Sequence, residues 1–243
     1  MSSEPRRRPT HRKGRPTLTR ASVGEAALDF LGRHGPENLT MRSLAAELGV
    51  SPRALYNYVA DRRDLITVAA EIFESRWTPA ALDSAQWHED LRAFCRDLRA
   101  HYRRHPGMTT LALRENITGA RHPVMLRNVD ALLGLFLQIG LDLQDAYRAC
   151  METFRLVAGF VELQDSFHDR PPAYLNPADL NDTPPPWLHD QENLPHLARL
   201  GEMEADSPDT LFEFSLDLLT DGIAARLRSS RDQHGDSAAA HCR

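Results

Sequence analysis

Cysteine is scarce in this sequence, and the three that occur, Cys95, Cys150 and Cys242, are far apart and lack a Cys-x-x-Cys spacing. An odd set of isolated cysteines indicates neither a disulfide framework nor a zinc ribbon. Uninterrupted apolar runs are too short for a membrane-spanning helix, and the Arg- and Pro-rich N-terminus has no apolar segment behind it. We therefore expect a cytoplasmic protein with no transmembrane helix.

Catalytic fingerprints are also missing. The sequence contains no P-loop, no dinucleotide-binding glycine pattern, no nucleophile elbow and no His-Glu-x-x-His. His101 and His105 are spaced to share a helix face, but no third metal ligand stands at a matching spacing, which favours an ordinary solvated face. We predict no enzymatic activity, no metal and no cofactor. An all-α enzyme remains an alternative that no motif supports.

Positive charge is concentrated at one end of a chain whose net charge is −5. Residues 1–65 carry twelve Arg or Lys against seven acids, so the remainder is strongly acidic. This asymmetry is typical of a polyanion-binding end joined to an acidic body, although a basic tail without a partner would show it too. Residues 1–16 combine prolines with clustered Arg and cannot bury a core, so we expect a disordered arm.

Four helices are predicted in the first third of the chain. In each one apolar side chains recur at helical spacing, and the last three begin at Thr40, Ser51 and Asp61, whose side chains can accept a backbone N–H. Glycine ends the first two helices, and Pro79 follows the fourth. From cap to end, the predicted helices are Thr19–Gly35, Thr40–Gly49, Ser51–Val59 and Asp61–Trp77.

Helical spacing continues through the rest of the chain. Residues 166–208 interrupt it with eight prolines among polar residues, which predicts a long, mostly irregular loop. No alternating strand pattern occurs, so the predicted fold class is all-α. The main predicted helices beyond Trp87 are Leu91–Tyr102, Leu126–Leu137, Leu143–Val161 and Pro208–Arg228.

A helix, a glycine turn and a second short helix, preceded by a supporting helix and a basic arm, form the arrangement of a major-groove DNA reader. The second helix must expose polar groups while its inner face packs against the first. Leu55 and Val59 fit the inner face. The outer face is predicted to hold Ser51, Arg53, Ala54, Asn57 and Tyr58.

The run from Thr40 to Val59, followed by Asp61-Arg62-Arg63-Asp64-Leu65, resembles the DNA-binding head of the tetracycline-repressor (TetR) family. The likeness preserves the helix lengths, the Leu-Gly-Val turn, the Leu-Tyr pair and the charged start of the fourth helix. It implies a DNA-binding transcriptional regulator with a three-helix N-terminal domain. Ala60 stands where many relatives carry a basic residue, which implies one phosphate contact fewer.

The resemblance also implies roles for individual side chains. Arg42 matches a position that reaches a base or a phosphate, Tyr56 one that contacts backbone phosphate, and Arg62 a basic residue that binds phosphate. We expect Arg53 to be the main base reader, because arginine can pair bidentately with guanine, and Asn57 and Tyr58 to assist it.

The arm also contains a candidate DNA contact. Arg12-Lys13-Gly14-Arg15-Pro16 resembles an AT-hook core, in which glycine allows close approach to a narrow minor groove and the flanking Arg15 follows the negative potential. Nonspecific attraction to phosphate is the alternative explanation of this segment.

The C-terminal part resembles the tetracycline-repressor type along most of its length. The likeness implies that the long helix from Leu143 and the last helix pair with their twofold mates in a four-helix dimer interface, and that a small-molecule pocket lies between the helices of residues 91–165. The histidine and acid that hold a magnesium–tetracycline complex align with Leu111 and Leu163, so we expect an apolar or aromatic effector. The candidate ligand-binding residues are Trp87, Phe94, Tyr102, Leu113, Phe136, Phe154, Phe160 and Phe167.

The predicted organisation has four parts. They are a disordered basic arm at 1–16, a helix-turn-helix DNA-binding domain at 17–65, a helical ligand-binding and dimerisation domain at 66–230 that contains the 166–208 loop, and a disordered tail at 231–243. The expected function is that of a homodimeric repressor released from a palindromic operator by a small molecule. Alternatives are an activator, or a small-molecule-binding module whose head has lost its DNA function.

Overall fold

The computed structural model describes residues 18–117, 122–171, 184, 185, 188 and 193–241, with side chains up to residue 229. The described residues form helices and no strand, which confirms the all-α prediction. We call residues 18–65 the head and residues 66–229 the body, following the predicted boundary. The first four helices are α1 (Arg20–His34), α2 (Met41–Glu47), α3 (Pro52–Leu55) and α4 (Arg62–Ser75).

The body is built around two long central helices and a long last one. Helix α8 continues directly into a π-helical segment, Val161–Asp165. Short 3-10 turns precede α5 and follow α10. The body helices are α5 (Trp87–Arg104), α6 (Met108–Arg114), α7 (Pro123–Gln138), α8 (Leu143–Phe160), α9 (Ser166–Asp169), α10 (Pro195–Ala198) and α11 (Pro208–His241).

Side-chain caps fix the helix starts in the head, as the sequence predicts for Thr40, Ser51 and Asp61. Thr19 and Thr40 each form a capping box with a serine three residues later, so two backbone N–H groups at each start are satisfied. The side chains of Ser51 and Asp61 accept a backbone N–H in the first turns of α3 and α4. These contacts explain why the short helices α2 and α3 begin where they do.

Helix α4 joins the two parts of the molecule through one hydrophobic core. Leu65 and Ile66, at the boundary between head and body, are fully buried, and Phe73 is buried in the body. Helices α1 and α4 cross so closely that a Cβ on Gly24 would lie 2.4 Å from Cγ1 of Val68. The head and the start of the body are therefore packed on the same helix.

The structure also contains elements that the sequence analysis did not assign. Helix α6 is one, with Gly107 in a left-handed conformation at its start. Within residues 166–208 the described parts include the helical turns α9 and α10. Helix α11 continues past Arg228, where the apolar pattern ends, to His241, and no proline interrupts this stretch. Among the described residues, no helix combines the length and apolar character needed to cross a membrane.

Candidate nucleic-acid interface and helical body

The turn between α2 and α3 fixes the two helices against each other. Gly49 adopts a left-handed conformation with φ 61°, and the Val50 amide donates to the carbonyl of Ala45 at 2.9 Å. Leu55 and Val59 are buried, as predicted for the inner face. On the opposite side, Ser51, Arg53, Tyr56 and Asn57 are exposed, whereas Ala54 and Tyr58 are partly buried.

Arg20 holds this arrangement in place from α1. Its Nη1 donates to the Tyr58 carbonyl at 3.0 Å and to Asp64 Oδ2 at 2.7 Å, and its Nη2 reaches Asp64 Oδ1 at 2.5 Å. The guanidinium lowers the pKa of Asp64 to about 2. Tyr58 follows α3, the second helix of the helix-turn-helix, and Asp64 lies in α4. The Arg20 side chain of α1 therefore holds the segment between α3 and α4 in place.

The head itself is electrically balanced. Residues 18–65 contain six arginines and six acids, so the positive excess of the N-terminal region comes from the arm. Arg33 is paired with Glu47 at 2.7 Å. Arg42 and Arg53, in contrast, are exposed and form no ion pair with another described residue. These two guanidinium groups are therefore open to an anionic partner, as is that of exposed Arg63, which also forms no ion pair with another described residue.

Arg62 is positioned differently from Arg42 and Arg53. Its Nε donates to the Leu39 carbonyl at 3.0 Å, and its Nη1 forms an ion pair with Glu115, at the end of α6 in the body. Its side chain is 37% exposed. Arg62, the predicted phosphate-binding arginine, is thus paired with a carboxylate of the same chain. Arg15, predicted in the arm, lies outside the described residues.

The predicted ligand-binding side chains lie in different parts of the body and do not form one group. Phe94 lies edge-on to Phe154, at 6.0 Å between ring centroids, and to Trp77 at 5.2 Å. Phe160 instead packs edge-on against Phe212 in α11, at 4.9 Å. The structure thus brings some of these aromatics together and separates others.

The remaining candidates also differ in burial. Tyr102 is buried, and its ring centroid lies 5.4 Å from that of Phe73. Phe136 is fully buried. Trp87 and Phe167 are partly buried, and Leu113 is 67% exposed. Burial therefore sets Leu113 apart from the other seven.

Two partly buried carboxyl groups face the interior of the body and were missed by the sequence analysis. Burial raises the pKa of Glu74 on α4 to about 7, and Tyr102 lies near it. Burial also raises the pKa of Glu162, which accepts the Gly107 amide at 2.7 Å. A signal for Glu74 existed, since it follows buried Ile66 and Ala70 at steps of four along the inner stripe of α4.

His101 is part of the aromatic core and not of a solvated face. Its ring stacks on Phe73 at 4.3 Å and lies 6.1 Å from Trp77, and the residue is 7% exposed. Burial lowers the pKa of His101 to about 4, and the positive charges of nearby His105 and Arg104 act in the same direction. The imidazole is therefore neutral at pH 7.

An apolar groove runs along the outside of the body between α8 and α11. Its cavity volume is about 660 Å³, and Tyr147 and Leu218 in its lining are 57% and 61% exposed. Asp145 and Arg148 form an ion pair within the lining, at 2.9 Å. Two smaller cavities lie near Arg103, with about 400 Å³, and near Phe94, with about 150 Å³.

Arginines on α5 fix α11 from the side away from this groove. Arg92 pairs with Glu213 and Asp217, and Arg96 also pairs with Glu213. These contacts lower the pKa of Glu213 to about 2. The apolar outer face of α11 is consequently held in a fixed orientation.

Arg99 completes this row within the core. It is 8% exposed, donates twice to the buried carboxylate of Asp165 at 2.8 and 2.6 Å, and pairs with Asp209 at 2.8 Å. Its guanidinium also lies over the rings of Phe160 and Phe212, 5.0 and 4.6 Å from the centroids. A buried arginine paired in this way joins α5, the π-helical segment and α11.

A helix-turn-helix head on a helical body defines the class as a DNA-binding regulator, and comparisons with known proteins give the family. Residues 25–72 match the model "Bacterial regulatory proteins, tetR family", and residues 78–227, more than half of the chain, match "Tetracyclin repressor-like, C-terminal domain". The chain belongs to the tetracycline-repressor (TetR) family, whose models describe regulators and not enzymes.

Individual relatives agree with this assignment. The chain is 35% identical over 136 residues to the HTH-type transcriptional repressor DrrR1 of Streptomyces coeruleorubidus, covering 56% of this chain and 49% of that protein. It is 29% identical over 219 residues to the Escherichia coli tetracycline repressor protein class D, covering 86% and 91%. A crystal structure of a possible TetR family regulator from Streptomyces coelicolor A3(2) superimposes with a TM-score of 0.67 at 31% identity, covering 85% and 98%.

Replacing His101 with Phe should reduce the sensitivity of the protein to mild acid. The unfolded chain binds a proton at His101 below about pH 6.5, whereas the folded state resists protonation down to about 4, so wild-type stability at this site falls as the pH drops through that window. Between pH 7 and pH 4.5 the wild type should lose on the order of 2–3 kcal/mol more unfolding free energy than His101→Phe. Urea titrations at both pH values measure this difference.

The matched control is His196→Phe, which changes an exposed histidine on α10. It should keep the wild-type dependence on pH. Parallel losses in wild type and His101→Phe would contradict the assignment of a neutral, buried His101.

Proposed function

We propose that this protein is a homodimeric transcriptional repressor of the cytoplasm that binds a palindromic DNA operator and is released from it by a small molecule. The observation that carries this proposal is the exposed polar face of α3 and the turn after it, with Arg53 and Asn57 open to solvent on a segment whose Tyr58 carbonyl is bound by Arg20. A major-groove reader needs both properties, since the side chains must reach base edges from a fixed helix.

Repression is favoured over activation by the named relatives. DrrR1 is an HTH-type transcriptional repressor, and the class D protein is a tetracycline repressor. Since the alignment with DrrR1 spans only about half of that protein, the regulatory outcome in this chain is a proposal of its own.

The proposed contacts to DNA divide into two groups. Arg53, with Asn57 and Tyr58, reads base edges, whereas Tyr56 and Ser51 contact phosphate. Ala54 allows the helix to approach the groove. Arg42 contacts base or phosphate near the start of α2, Arg62 binds phosphate at the start of α4, and Arg15 adds an arm contact.

The groove between α8 and α11 supports the homodimer. Tyr147 and Leu218 in its lining are exposed apolar side chains, as is Phe214 four residues before Leu218 on α11, and acids and arginines alternate in the lining. A twofold axis through such a surface buries the same residues on both copies and can pair their charges reciprocally. It would also place two copies of α3 about one DNA turn apart.

The proposed domain organisation keeps the predicted bounds. The arm at 1–16 precedes a DNA-binding domain at 17–65 and a ligand-binding and dimerisation domain at 66–230, which contains the loop at 166–208 and is followed by a tail at 231–243. The helical turns α9 and α10 within 166–208 are compatible with a cover over one end of the body.

The effector is proposed to be apolar or aromatic and to bind among the body aromatics. Phe94, Phe154 and Trp77 already form a cluster, and Tyr102 and Phe136 are also buried in the body. Because Phe73 and Leu65 lie on one helix, a ligand that displaces α4 would change the spacing of the two α3 helices. A cognate ligand that leaves operator affinity unchanged at saturation would contradict this mechanism.

Replacing Arg53 with Ala should weaken operator binding by about 1–3 kcal/mol and relax the preference at one base pair. Binding to random duplexes should change far less, because a base contact is lost and not a phosphate contact. Fluorescence anisotropy on the duplex that the wild type enriches, and on a shuffled duplex, measures both affinities. Arg33→Ala, which removes an equal charge from the Glu47 pair, is the control. Equal losses on both duplexes would refute the reading role of Arg53.

Replacing Leu218 with Asp should convert the dimer to a monomer. The substitution puts a charge on a side chain that is 61% exposed in one chain and would be buried between two. Sedimentation velocity at micromolar concentration distinguishes the two species. Leu113→Asp, on a leucine of α6 that is 67% exposed and does not line this groove, should remain dimeric. A dimeric Leu218→Asp variant would place the interface elsewhere.

A further inference from the structure

The contact between Arg62 and Glu115 links the start of α4 to the end of α6. The two residues are 53 positions apart in sequence, and their side chains are 37% and 30% exposed. The same guanidinium donates its Nε to the Leu39 carbonyl at 3.0 Å. Arg62 is therefore oriented by one group of the head and one group of the body.

Glu115 is held in position by the way α6 ends. Asn116, the next residue, has a positive φ of 53°, and the Ile117 amide donates to the Ala112 carbonyl at 2.7 Å. This left-handed residue with a 6→1 hydrogen bond is a Schellman-type end. Arg63 Nη2 donates to the Asn116 carbonyl at 3.5 Å. Two consecutive arginines of α4 thus face the same helix end.

We propose that Glu115 is a positioning residue that competes with DNA phosphate for Arg62. The inference rests on the proposed function, because it assumes that the head binds DNA. A carboxylate and a phosphate bind the same guanidinium donors in similar geometry, so the two interactions exclude each other in part. In the DNA-free protein, Glu115 neutralises the arginine that the operator backbone would otherwise bind.

The strength of this competition is limited by solvent. Both partners are about one-third exposed, and ion pairs of this kind are weak enough for a phosphate to displace. Glu115 therefore lowers DNA affinity without abolishing it. Glu115 belongs to the body and lies at the end of α6. The affinity of the head for DNA therefore depends on where the end of α6 lies relative to Arg62.

The test is a double-mutant cycle on DNA affinity with Glu115→Gln, Arg62→Ala and the double variant. Glu115→Gln should bind operator and random duplexes about two- to fivefold more tightly per subunit, the range expected of a partly exposed pair. The slope of log affinity against log salt should steepen by about 0.9 for each additional phosphate that the protein neutralises. In the Arg62→Ala background the same substitution should have no effect.

Glu47→Gln is the matched control, because Glu47 also pairs with a head arginine and loses the same charge. It should leave the salt slope unchanged. A second variant, Glu115→Ala, should repeat the effect of Glu115→Gln, and thermal melts establish that each variant is folded.

The outcomes separate the inference from the proposed function. The inference alone would be overturned if Glu115→Gln kept the wild-type affinity and salt slope. It would also be overturned if Glu115→Gln increased DNA affinity as much in the Arg62→Ala background as in the wild type. A wild type that binds no duplex would overturn the proposed function, and this inference would fall with it.

Discussion

The packing of α4 is the constraint on which both halves of the molecule depend. Its first turns bury Leu65 and Ile66 in the shared core, and its last turns bury Phe73 among the aromatics of the body. The crossing with α1 is so close at Gly24 that no side chain fits there. A movement of α4 must therefore be shared by the head, and a change in the body core reaches α3 through one continuous set of packed side chains.

Ion pairs fix some arginines in structural contacts and leave others exposed to solvent. Arg20 holds the end of the α3 segment, and Arg92, Arg96 and Arg99 hold α11 so that its apolar face stays outward. Arg53 has no such internal partner among the described residues and stays open to solvent. The described head is neutral in sum, so its affinity for a polyanion must come from the placement of a few guanidinium groups and from the arm.

Local signals predicted the head well. The caps at Thr40, Ser51 and Asp61, and the turn at Gly49, act within four residues, so the sequence alone determines them. Interactions between distant residues were not predictable in this way. The pairing of Arg62 with Glu115 depends on how the helices cross. The division of the body aromatics into separate groups depends on the same crossings. Helix α6, which is as short as α2, was missed because it begins at Gly107 and has no side-chain cap. The roles of the individual site residues remain predictions.

The central claim is that two copies of this chain read DNA as a twofold dimer, and selection of bound duplexes from a random pool tests it most directly. Purified full-length protein would be incubated with the pool in the presence of a competitor polyanion. The account predicts enrichment of a palindrome whose half-sites are about one helical turn apart. Absence of enrichment over the starting pool would contradict it.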